Sequence, residues 1–479
     1  MNLADLNHFV TAKWDDDLVP RLVDYVRVPA KSPAFDSSWD AHGHLHAVVK
    51  AAEQWCRSQS IDGLTIEIVA IEGKTPCLLF DVPATDGLGN DRTVLFYGHL
   101  DKQPEMVGWR EDLGPWKPVY QDGKLYGRGS ADDGYAIYSA LTTIAALDAQ
   151  GAARPRCVGI IETCEESGSP DLPEYLTLLA PRFGDVQLVV GLDSGCRNYD
   201  QLWVTTSLRG LVGGTLTVEI LSEGVHSGHA SGIVPSSFRI ARQLLNRLDD
   251  PVTGKVLLPE LHADIPPGRV QQAHTAGKIL GDQVWKEFPW VSCTHGAGGH
   301  LHAMPVTTDP VEGILNRTWR PALAVTGAAG FPSIDSAGNV LRPKTTLKLS
   351  MRIPPTIDGE KATWAIRKAL TENPPYNAKV SFDADCGATG WNAPETAGWL
   401  KNALAQASLQ SYGRDVAWVG EGGTIPFMNM LGERFPRAQF FITGVLGPHS
   451  NAHGPNEFLH VPYAKKLTAA VASVVAAVQ

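Results

Sequence analysis

Five side chains that bind metal ions well each stand at or just after a short apolar run of this chain. Imidazoles and carboxylates are ligands for divalent cations, and one carboxylate can bridge two of them. Glu165 adds a further acidic group, which could accept a proton from a metal-activated water. The set therefore indicates a hydrolase with two metal ions. The ligand candidates are His99, Asp132, Glu166, Asp193 and His453.

The first candidate belongs to an H-x-D pair, His99 and Asp101. A metal-bound imidazole usually donates its second N–H group to an acceptor, which fixes the ring, and Asp101 is spaced to lie near that ring. The structural alternative is a histidine at a strand end, followed by an aspartate that caps a turn. The pair alone does not separate these two interpretations.

The acidic candidates also have structural alternatives. Asp132 and Asp133 precede a helix, where aspartate is a common cap, so one could face a metal while the other caps the helix. The adjacent Glu165 and Glu166 would repel each other in a buried site without cations, but they would be ordinary in a solvated loop. Asp193 could likewise be a solvated turn residue.

The elements predicted around these residues explain how distant positions can meet. Continuous apolar runs at 93–97, 157–161 and 188–191 are typical of strands buried on both faces, and 136–147 has an apolar helical pattern. Strands that alternate with helices predict an α/β fold with a mixed, largely parallel sheet flanked by helices. In such sheets, functional residues gather beyond the carboxyl ends of the strands, where most of the ligand candidates lie.

A second pattern follows in the middle of the chain. Segments 214–220 and 345–353 alternate apolar and polar residues, as in sheets with one solvated face. Together with helical patterns at 236–248 and 358–371 and two further strand candidates, the order is β-α-β-β-α-β, which is that of an α+β ferredoxin-like domain. We interpret the weakly periodic segment 251–318 as an insertion.

These two patterns predict two domains. Residues 1–207 and 388–479 are expected to form the metal-binding catalytic domain, and residues 208–387 a smaller domain inserted into it. A chain of 479 residues is long for a single hydrophobic core, which agrees with this division.

The composition argues against several partners and locations. The formal net charge is −10 and no basic block offsets it, which disfavours nucleic acid as a partner. No apolar run approaches the roughly 20 residues of a membrane span, so neither a membrane anchor nor a secretory signal is expected. The seven cysteines form no CxxC pair and are odd in number, which predicts reduced thiols in a cytoplasmic protein.

Polar residues of the inserted domain could take part in chemistry if they come near the metals. His226 in a glycine-rich loop and Arg352 in a strand each have a strong structural alternative. An arginine can bind a substrate carboxylate, and an imidazole can polarise a scissile carbonyl. The glycine-rich segment 420–424 could present backbone N–H groups to an anion, although this signal is weak by itself.

Eight short segments in this order resemble the M20 family of metallopeptidases, and specifically its branch of carnosinase-like, cytosolic nonspecific dipeptidases. Each segment is weak alone, but the ordered set spans most of the chain and is specific. The resemblance implies a catalytic domain with two metals, usually zinc, and an inserted lid domain that also forms a homodimer. The segments are YGHLDKQP (97–104), YGRGSADD (126–133), EESGS (165–169), LRG (208–210), HSG (226–228), MRIPP (351–355), EGGTIP (421–426) and SNAHGPNE (450–457).

The resemblance implies a role for each ligand candidate. His99 and Asp193 would bind one metal, and Glu166 and His453 would bind the other. Asp132 would bridge the two metals, in a peptide bond to the next residue that the family leads us to expect in the cis form.

Further roles follow from the same resemblance. Glu165 would be the general base. Together with Asp101, placed beside His99 by the H-x-D spacing, and His226, it makes up our predicted catalytic set. The last ligand of the family lies in an N-x-H-x-P-N-E context, which favours His453 over its neighbour His449.

The resemblance also assigns residues to substrate binding. His226 would reach into the active site of the partner subunit and stabilise the tetrahedral oxyanion. Arg352, with the region of Gly423 and Thr424, would hold the carboxylate end of the substrate. One departure is clear: the branch usually has Asp-Asp-Lys-Gly, where this chain has Asp-Asp-Gly-Tyr at 132–135.

We therefore predict a cytoplasmic exopeptidase that hydrolyses dipeptides or other short peptides through a metal-activated water. Two divalent cations are expected, with Zn²⁺ as the first choice and Mn²⁺ as the alternative. A second hypothesis is an M20-type amidohydrolase or aminoacylase that releases an amino acid from an N-acyl or other non-peptide amide. A third is a binding protein that keeps the scaffold without catalysis.

Overall fold

The computed structural model describes residues 2–85, 87–295 and 299–478. The chain divides into two compact units. The first unit comprises Met1–Thr206, Ala393–Val419 and Met430–Gln479, and the second comprises Ser207–Asn392 and Gly420–Asn429. The first unit is therefore built from three chain segments and the second from two.

A mixed sheet forms the centre of the first unit. Its middle strands are parallel: Arg92–His99 pairs with both Arg156–Glu162 and Asp185–Gly191, and Gln439–Ile442 pairs with Asp185–Gly191. Most of their residues are buried, as their continuous apolar runs predicted. Two strands at one edge are antiparallel. The spatial order is Thr65–Val69, Cys77–Val82, Arg156–Glu162, Arg92–His99, Asp185–Gly191, Gln439–Ile442 and Trp203–Leu208, with Trp391–Asn392 and Ala417–Glu421 paired to the last of these.

One apolar helix packs directly on this sheet. Ala136–Ala149 contacts the strands Arg92–His99 and Arg156–Glu162, and also the C-terminal helix Val461–Val475. It is apolar on nearly all sides because other elements surround it. The helices of the first unit are Leu3–Lys13, Val19–Val26, Trp39–His42, His44–Arg57, Ala136–Ala149, Leu172–Leu178, Ala180–Phe183, Gly398–Tyr412, Val461–Val475 and, beginning in the second unit, Pro426–Arg434; Trp14–Leu18 is a π-helical turn.

The first unit also contains a small three-stranded antiparallel sheet. Lys124–Tyr126 is its central strand and pairs with Val119–Gln121 on one side and Phe458–His460 on the other. The sheet brings the loop before Phe458 next to the loop after Tyr126, where Gly127 donates its backbone N–H to the carbonyl of Glu457 at 3.0 Å. Two loops that are more than 300 residues apart in sequence therefore meet.

The second unit contains a four-stranded antiparallel sheet in the order Ala322–Ala329, Lys344–Ile353, Gly210–Glu219 and Lys379–Ala388. The helices Ser237–Leu245 and Gly359–Thr371 pack on its strands. Along Lys344–Ile353 buried residues alternate with more exposed ones, because only one face of the strand contributes to the core. The order of strands and helices is the ferredoxin-like one predicted from the sequence.

Segment 251–318, which we interpreted as a weakly periodic insertion, is more regular than its sequence suggests. It contains the helices Pro267–Leu280, Gln283–Lys286 and Pro310–Thr318 and a hairpin of Ser292–His295 with Gly299–His302. Helix Pro267–Leu280 buries mainly small residues, so it lacks the large apolar stripe by which helices are recognised.

The predicted fold class, a mixed α/β fold with an additional α+β part, is confirmed. Residues 420–429 group with the second unit, although our division assigned them to the catalytic domain. The separate roles of catalytic domain and lid stay a prediction. In the part of the chain that the structure describes, no helix has the length and apolar character that crossing a membrane requires.

Candidate metal centre

Three ligand candidates lie at the carboxyl ends of adjacent parallel strands. His99 is the last residue of Arg92–His99, and Asp193 follows two residues after Asp185–Gly191. Glu166 lies in a 3₁₀ turn, Glu165–Ser167, that begins three residues after the neighbouring strand ends. Because these strands run in the same direction, their ends bring the side chains to one edge of the sheet, as predicted.

The other two candidates come from loops. Asp132 lies between the strand Lys124–Tyr126 and the helix Ala136–Ala149, and its peptide bond to the next residue is cis, as the resemblance implied. His453 precedes the strand Phe458–His460 and has a φ of 65°, in the left-handed region. Neither residue is held by the main sheet, so other contacts must position both.

Asp132 lies between the two imidazoles. Its Oδ1 is 3.3 Å from Nε2 of His99, and its Oδ2 is 3.0 Å from Nε2 of His453. The His453 nitrogen is also 3.3 Å from Oε2 of Glu166, and the His99 nitrogen is 3.9 Å from Oδ2 of Asp193. All five predicted ligands are therefore gathered in one cluster, with Asp132 at its centre.

Glu165 lies in the same cluster. Its Oε2 is 3.9 Å from Nε2 of His99. Two groups have ligand atoms within 4.8 Å of one another: His99 with Asp132 and Glu166, and His99 with Glu165 and Asp193. The distances thus place Glu165 at ligand spacing as well as within reach of a water bound there.

The cluster has the properties of a site built for cations. His99 is fully buried, and among the described residues its Nε2 makes no well-directed hydrogen bond. Burial, followed by the charges of neighbouring acids, raises the pKa of Glu165 well above its usual range, that of Glu166 to about 8 and that of Asp193 to about 7. Such acids repel one another when ionised, and divalent cations would remove that repulsion. The donor set therefore fits two metal ions.

In His453 and Asp132, neighbouring charges outweigh the effect of burial and shift the pKa in favour of the charged form. Burial opposes the protonation of His453, but the carboxylates of Asp132 and Glu166 outweigh it and raise its pKa to about 9. Burial also disfavours the charged form of Asp132, yet the imidazoles of His453 and His99 lower its pKa. Asp132 is thus the acid of this cluster that stays ionised most readily, as a bridging ligand would.

Asp101 supports two parts of the site. Its Oδ1 lies 3.4 Å from Nδ1 of His99, whose nearer acceptor is the backbone carbonyl of Asp101 at 3.1 Å. The carboxylate also accepts the backbone N–H groups of Glu165 at 3.2 Å and Glu166 at 3.0 Å. One buried side chain therefore orients the first imidazole and the turn with the two glutamates.

Sequence reasoning missed Gln103, which donates from Nε2 to Oε2 of Glu166 at 2.6 Å. It also assigned no role to Arg128 or Glu457, which form a buried ion pair beside the loops of the metal ligands. Burial raises the pKa of Glu457, and the charge of Arg128 opposes that shift. Nothing local in the sequence announces this pair, because its members are 329 positions apart.

The helix cap considered for Asp133 is wrong. Both carboxylate oxygens of this fully buried residue are without a hydrogen bond among the described residues, and the helix Ala136–Ala149 has no side-chain cap. Burial, and then the charge of Asp193, raises the pKa of Asp133 well above its usual range. The residue lies behind the cluster, where an added Cβ on Gly98 would be 2.9 Å from its Oδ2.

The structure explains the departure at 134–135. A Cβ on Gly134 would lie 2.1 Å from the ring of Tyr25, so the family's lysine does not fit here. Tyr135 is fully buried and donates its hydroxyl to the carbonyl of Leu192, the residue before Asp193, at 2.5 Å. The ring of Tyr25 thus fills the space beside Gly134, and Tyr135 packs in the interior next to Leu192. The candidate ligands still lie together in the cluster.

The substrate-binding candidates lie in the second unit. Arg352, in the strand Lys344–Ile353, donates to Oγ1 of Thr424 at 2.8 Å, and this hydroxyl donates to the carbonyl of Arg209 at 2.6 Å. A Cβ on Gly423 would have nothing within 4 Å, so that glycine borders open space. His226 ends the short strand Val225–His226 and is exposed. The structure therefore brings Arg352 and Thr424 together. Arg209, to which the sequence analysis gave no role, contacts the same loop by accepting from Thr424 and donating to the carbonyl of Gly422.

The mixed α/β fold and the carboxylate–imidazole cluster at the carboxyl edge of its sheet are typical of metal-dependent hydrolases. Residues 95–477 match the model of peptidase family M20/M25/M40, and the chain belongs to this family. It is thus a metal-dependent hydrolase of peptide bonds.

Individual relatives agree with this assignment. The chain is 27% identical to the Cys-Gly metallodipeptidase DUG1 of Saccharomyces cerevisiae over 447 residues, which cover 88% of each chain. It is 26% identical to the Beta-Ala-His dipeptidase of Homo sapiens over 372 residues, or 72% of this chain and 68% of that one. The solved structure of Dug1p from Saccharomyces cerevisiae, described as a dipeptidase, has a TM-score of 0.78, 22% identity and coverage of 99% of this chain and 98% of that one.

Proposed function

We propose that this metallopeptidase hydrolyses free dipeptides at a centre of two divalent cations. The observation that carries the proposal is the position of Asp132, with one carboxylate oxygen directed to each of two imidazoles and further acids beside both. Relatives that cleave Cys-Gly and Beta-Ala-His dipeptides support dipeptides as the substrate class. They do not favour the N-acyl amino acid alternative.

The five ligands divide between two metal positions. His99 and Asp193 would hold the first metal, Glu166 and His453 would hold the second, and Asp132 would serve both. This division agrees with the distances from His453 to Asp132 and Glu166, of 3.0 and 3.3 Å. Imidazole and carboxylate donors suit Zn²⁺, which we propose as the metal, and Mn²⁺ is the alternative.

Bound cations supply Lewis-acid activation of a water molecule and of the scissile carbonyl. Glu165 accepts the proton from that water at its carboxylate and later passes it to the nitrogen of the leaving amine. A carboxylate can take up this proton and hold it between the two transfers. Asp101 keeps Glu165 in position by accepting its backbone N–H.

Residues of the second unit bind the substrate. Arg352 recognises the carboxylate of the dipeptide, with Thr424 fixing the guanidinium and the open backbone at Gly423 facing the bound anion. We further propose that the second unit is a lid, that the protein is a cytoplasmic homodimer through this lid, and that His226 stabilises the oxyanion in the partner subunit's site.

A matched substrate panel tests the proposed function. The metal-depleted protein, reloaded with Zn²⁺ or with Mn²⁺, is assayed on free dipeptides such as Cys-Gly and on their N-acetylated forms. We expect hydrolysis of the free dipeptides, and only after metal is restored. Hydrolysis confined to the N-acetylated substrates would move the protein to the aminoacylases, and hydrolysis without metal would overturn the mechanism.

A further inference from the structure

Arg128 and Glu457 form an ion pair that the proposed mechanism does not use. Nη1 of Arg128 lies 2.7 Å from Oε2 of Glu457, and their side chains are 1% and 0% exposed. Burying two charges is costly unless they are paired and their remaining donors and acceptors are satisfied. The pair meets both conditions. The other hydrogen bonds of the two side chains show which loops they connect.

Glu457 binds the loop that leads to the bridging ligand. Its Oε1 accepts the backbone N–H of Gly129 at 3.0 Å and that of Ala131 at 3.3 Å. Ala131 directly precedes Asp132, so this carboxylate fixes the backbone on the N-terminal side of the ligand. The segment is a series of turns without helix or strand pairing, and its own backbone hydrogen bonds run from Ser130 to Gly127 and from Gly134 to Gly129.

Arg128 binds the loop of the last ligand. Its Nη2 donates to the backbone carbonyls of His453 at 3.1 Å and Gly454 at 2.9 Å, and its Nε donates to that of Pro104 at 3.1 Å. His453 has a φ of 65°, which is unfavourable for a residue with a side chain unless its surroundings impose it. The guanidinium therefore helps to hold the loop of His453 in this conformation.

The two proposed metal positions differ in which elements hold their ligands. His99 ends a central strand and Asp193 follows one closely, so the main sheet fixes the first position. His453 and Asp132 lie on loops that meet through the Arg128–Glu457 pair. Loss of the pair should therefore change the distance between these two ligands without moving the first two.

We propose that Arg128 and Glu457 are positioning residues that set the affinity of the second metal position selectively. This inference rests on the proposed two-metal function. Substitution of partners that orient metal ligands typically lowers metal affinity about 10- to 100-fold. We expect most of that loss at the second position, because the first position shares only Asp132 with the two loops, whereas the second depends on Asp132 and His453.

Titration calorimetry with Zn²⁺ on the metal-depleted protein tests the proposal. For Glu457→Gln and Arg128→Lys we expect the second equivalent to bind about 10- to 100-fold more weakly and the first equivalent to lose clearly less affinity than the second. The matched control is Arg154→Lys, since Arg154 is 3% exposed, pairs with Asp148 at 2.7 Å and donates to the carbonyl of Pro83 rather than to a ligand loop. The control should keep both affinities.

A double variant separates positioning from folding. Arg128→Met with Glu457→Gln leaves no unpaired buried charge, so it should fold even where a single variant does not. We expect it to show the same selective weakening of the second equivalent. Unchanged binding of both equivalents, or equal weakening of both, would overturn the proposal. A wild type that binds fewer than two equivalents would instead overturn the two-metal function on which it rests.

Discussion

At the scale of single residues, the candidate centre places several acids so close together that, when ionised, they repel one another unless cations are bound. Asp132 keeps its charge between two imidazoles, whereas burial and repulsion raise the pKa values of Glu166 and Asp193. Glu165 is the acid whose role the distances leave open, because its carboxylate has ligand spacing to His99. Its substitution therefore tells a proton carrier from a ligand.

We expect Glu165→Gln to lower kcat by about 10²- to 10⁴-fold while the protein still binds two metal ions, because the amide cannot carry the proton. Steady-state kinetics and metal analysis of the same preparation measure both quantities. Glu395→Gln is the matched control, since this carboxylate is 93% exposed. Loss of one metal ion together with activity would identify Glu165 as a ligand instead.

Metal binding should release protons and weaken as the pH falls. In the metal-free protein Glu166, with a pKa of about 8, and His453, with a pKa of about 9, are largely protonated at neutral pH, and Asp193, at about 7, is partly so. Cations bind the deprotonated forms, so bound protons compete with them.

Calorimetry in two buffers of different ionisation enthalpy, between about pH 6 and pH 8, measures the protons released. We expect at least one proton per protein and an affinity that rises with pH across this range. An affinity independent of pH would show that these side chains are not the ligands.

At the scale of elements, parallel strands bring distant residues together, and this part could be predicted from the sequence. The apolar runs that end near His99, Glu166 and Asp193 form central strands, so one edge of the sheet gathers all three. The contacts of Gln103 and the Arg128–Glu457 pair could not be predicted, because they depend on how irregular loops meet. Helix Pro267–Leu280 was not predicted for another reason. Its buried residues are mostly small, so its sequence lacks an apolar stripe.

The tight packing between the helix Val19–Val26 and the loop at 134–135 makes a prediction about stability. Gly134→Ala should lower the free energy of unfolding by about 1–3 kcal/mol, because the new methyl group would overlap the ring of Tyr25. Chemical denaturation measures the change. Gly398→Ala is the control: a Cβ there meets nothing within 4 Å, so stability should stay the same or increase. Equal stability of both variants would contradict the packing described here.

At the scale of the whole molecule, two units contribute different chemistry. The first holds the candidate metal ligands, and the second carries the guanidinium of Arg352 on its sheet, where it donates to Thr424. The expected roles of several residues, including His226, come from the resemblance to M20 peptidases. The geometry within one unit does not indicate them. Sequence patterns did not predict the assignment of segment 420–429. It belongs to the second unit, although the preceding residues 393–419 belong to the first.

The role of Arg352 can be measured with two substrates. Arg352→Met should raise KM for free dipeptides about 10- to 100-fold, because a charge-assisted hydrogen bond to the substrate carboxylate is lost. A dipeptide amide, which has no such carboxylate, is the internal control and should be affected much less. Equal effects on both substrates would show that Arg352 does not read the carboxylate.

The most direct test of the two-metal dipeptidase is activity measured against metal content. Metal-depleted protein is titrated with Zn²⁺, and in parallel with Mn²⁺, while bound metal and hydrolysis of a free dipeptide are followed in the same samples. We predict that two equivalents bind per chain and that full activity needs the second. Full activity at one equivalent, or activity that does not depend on bound metal, would contradict the mechanism.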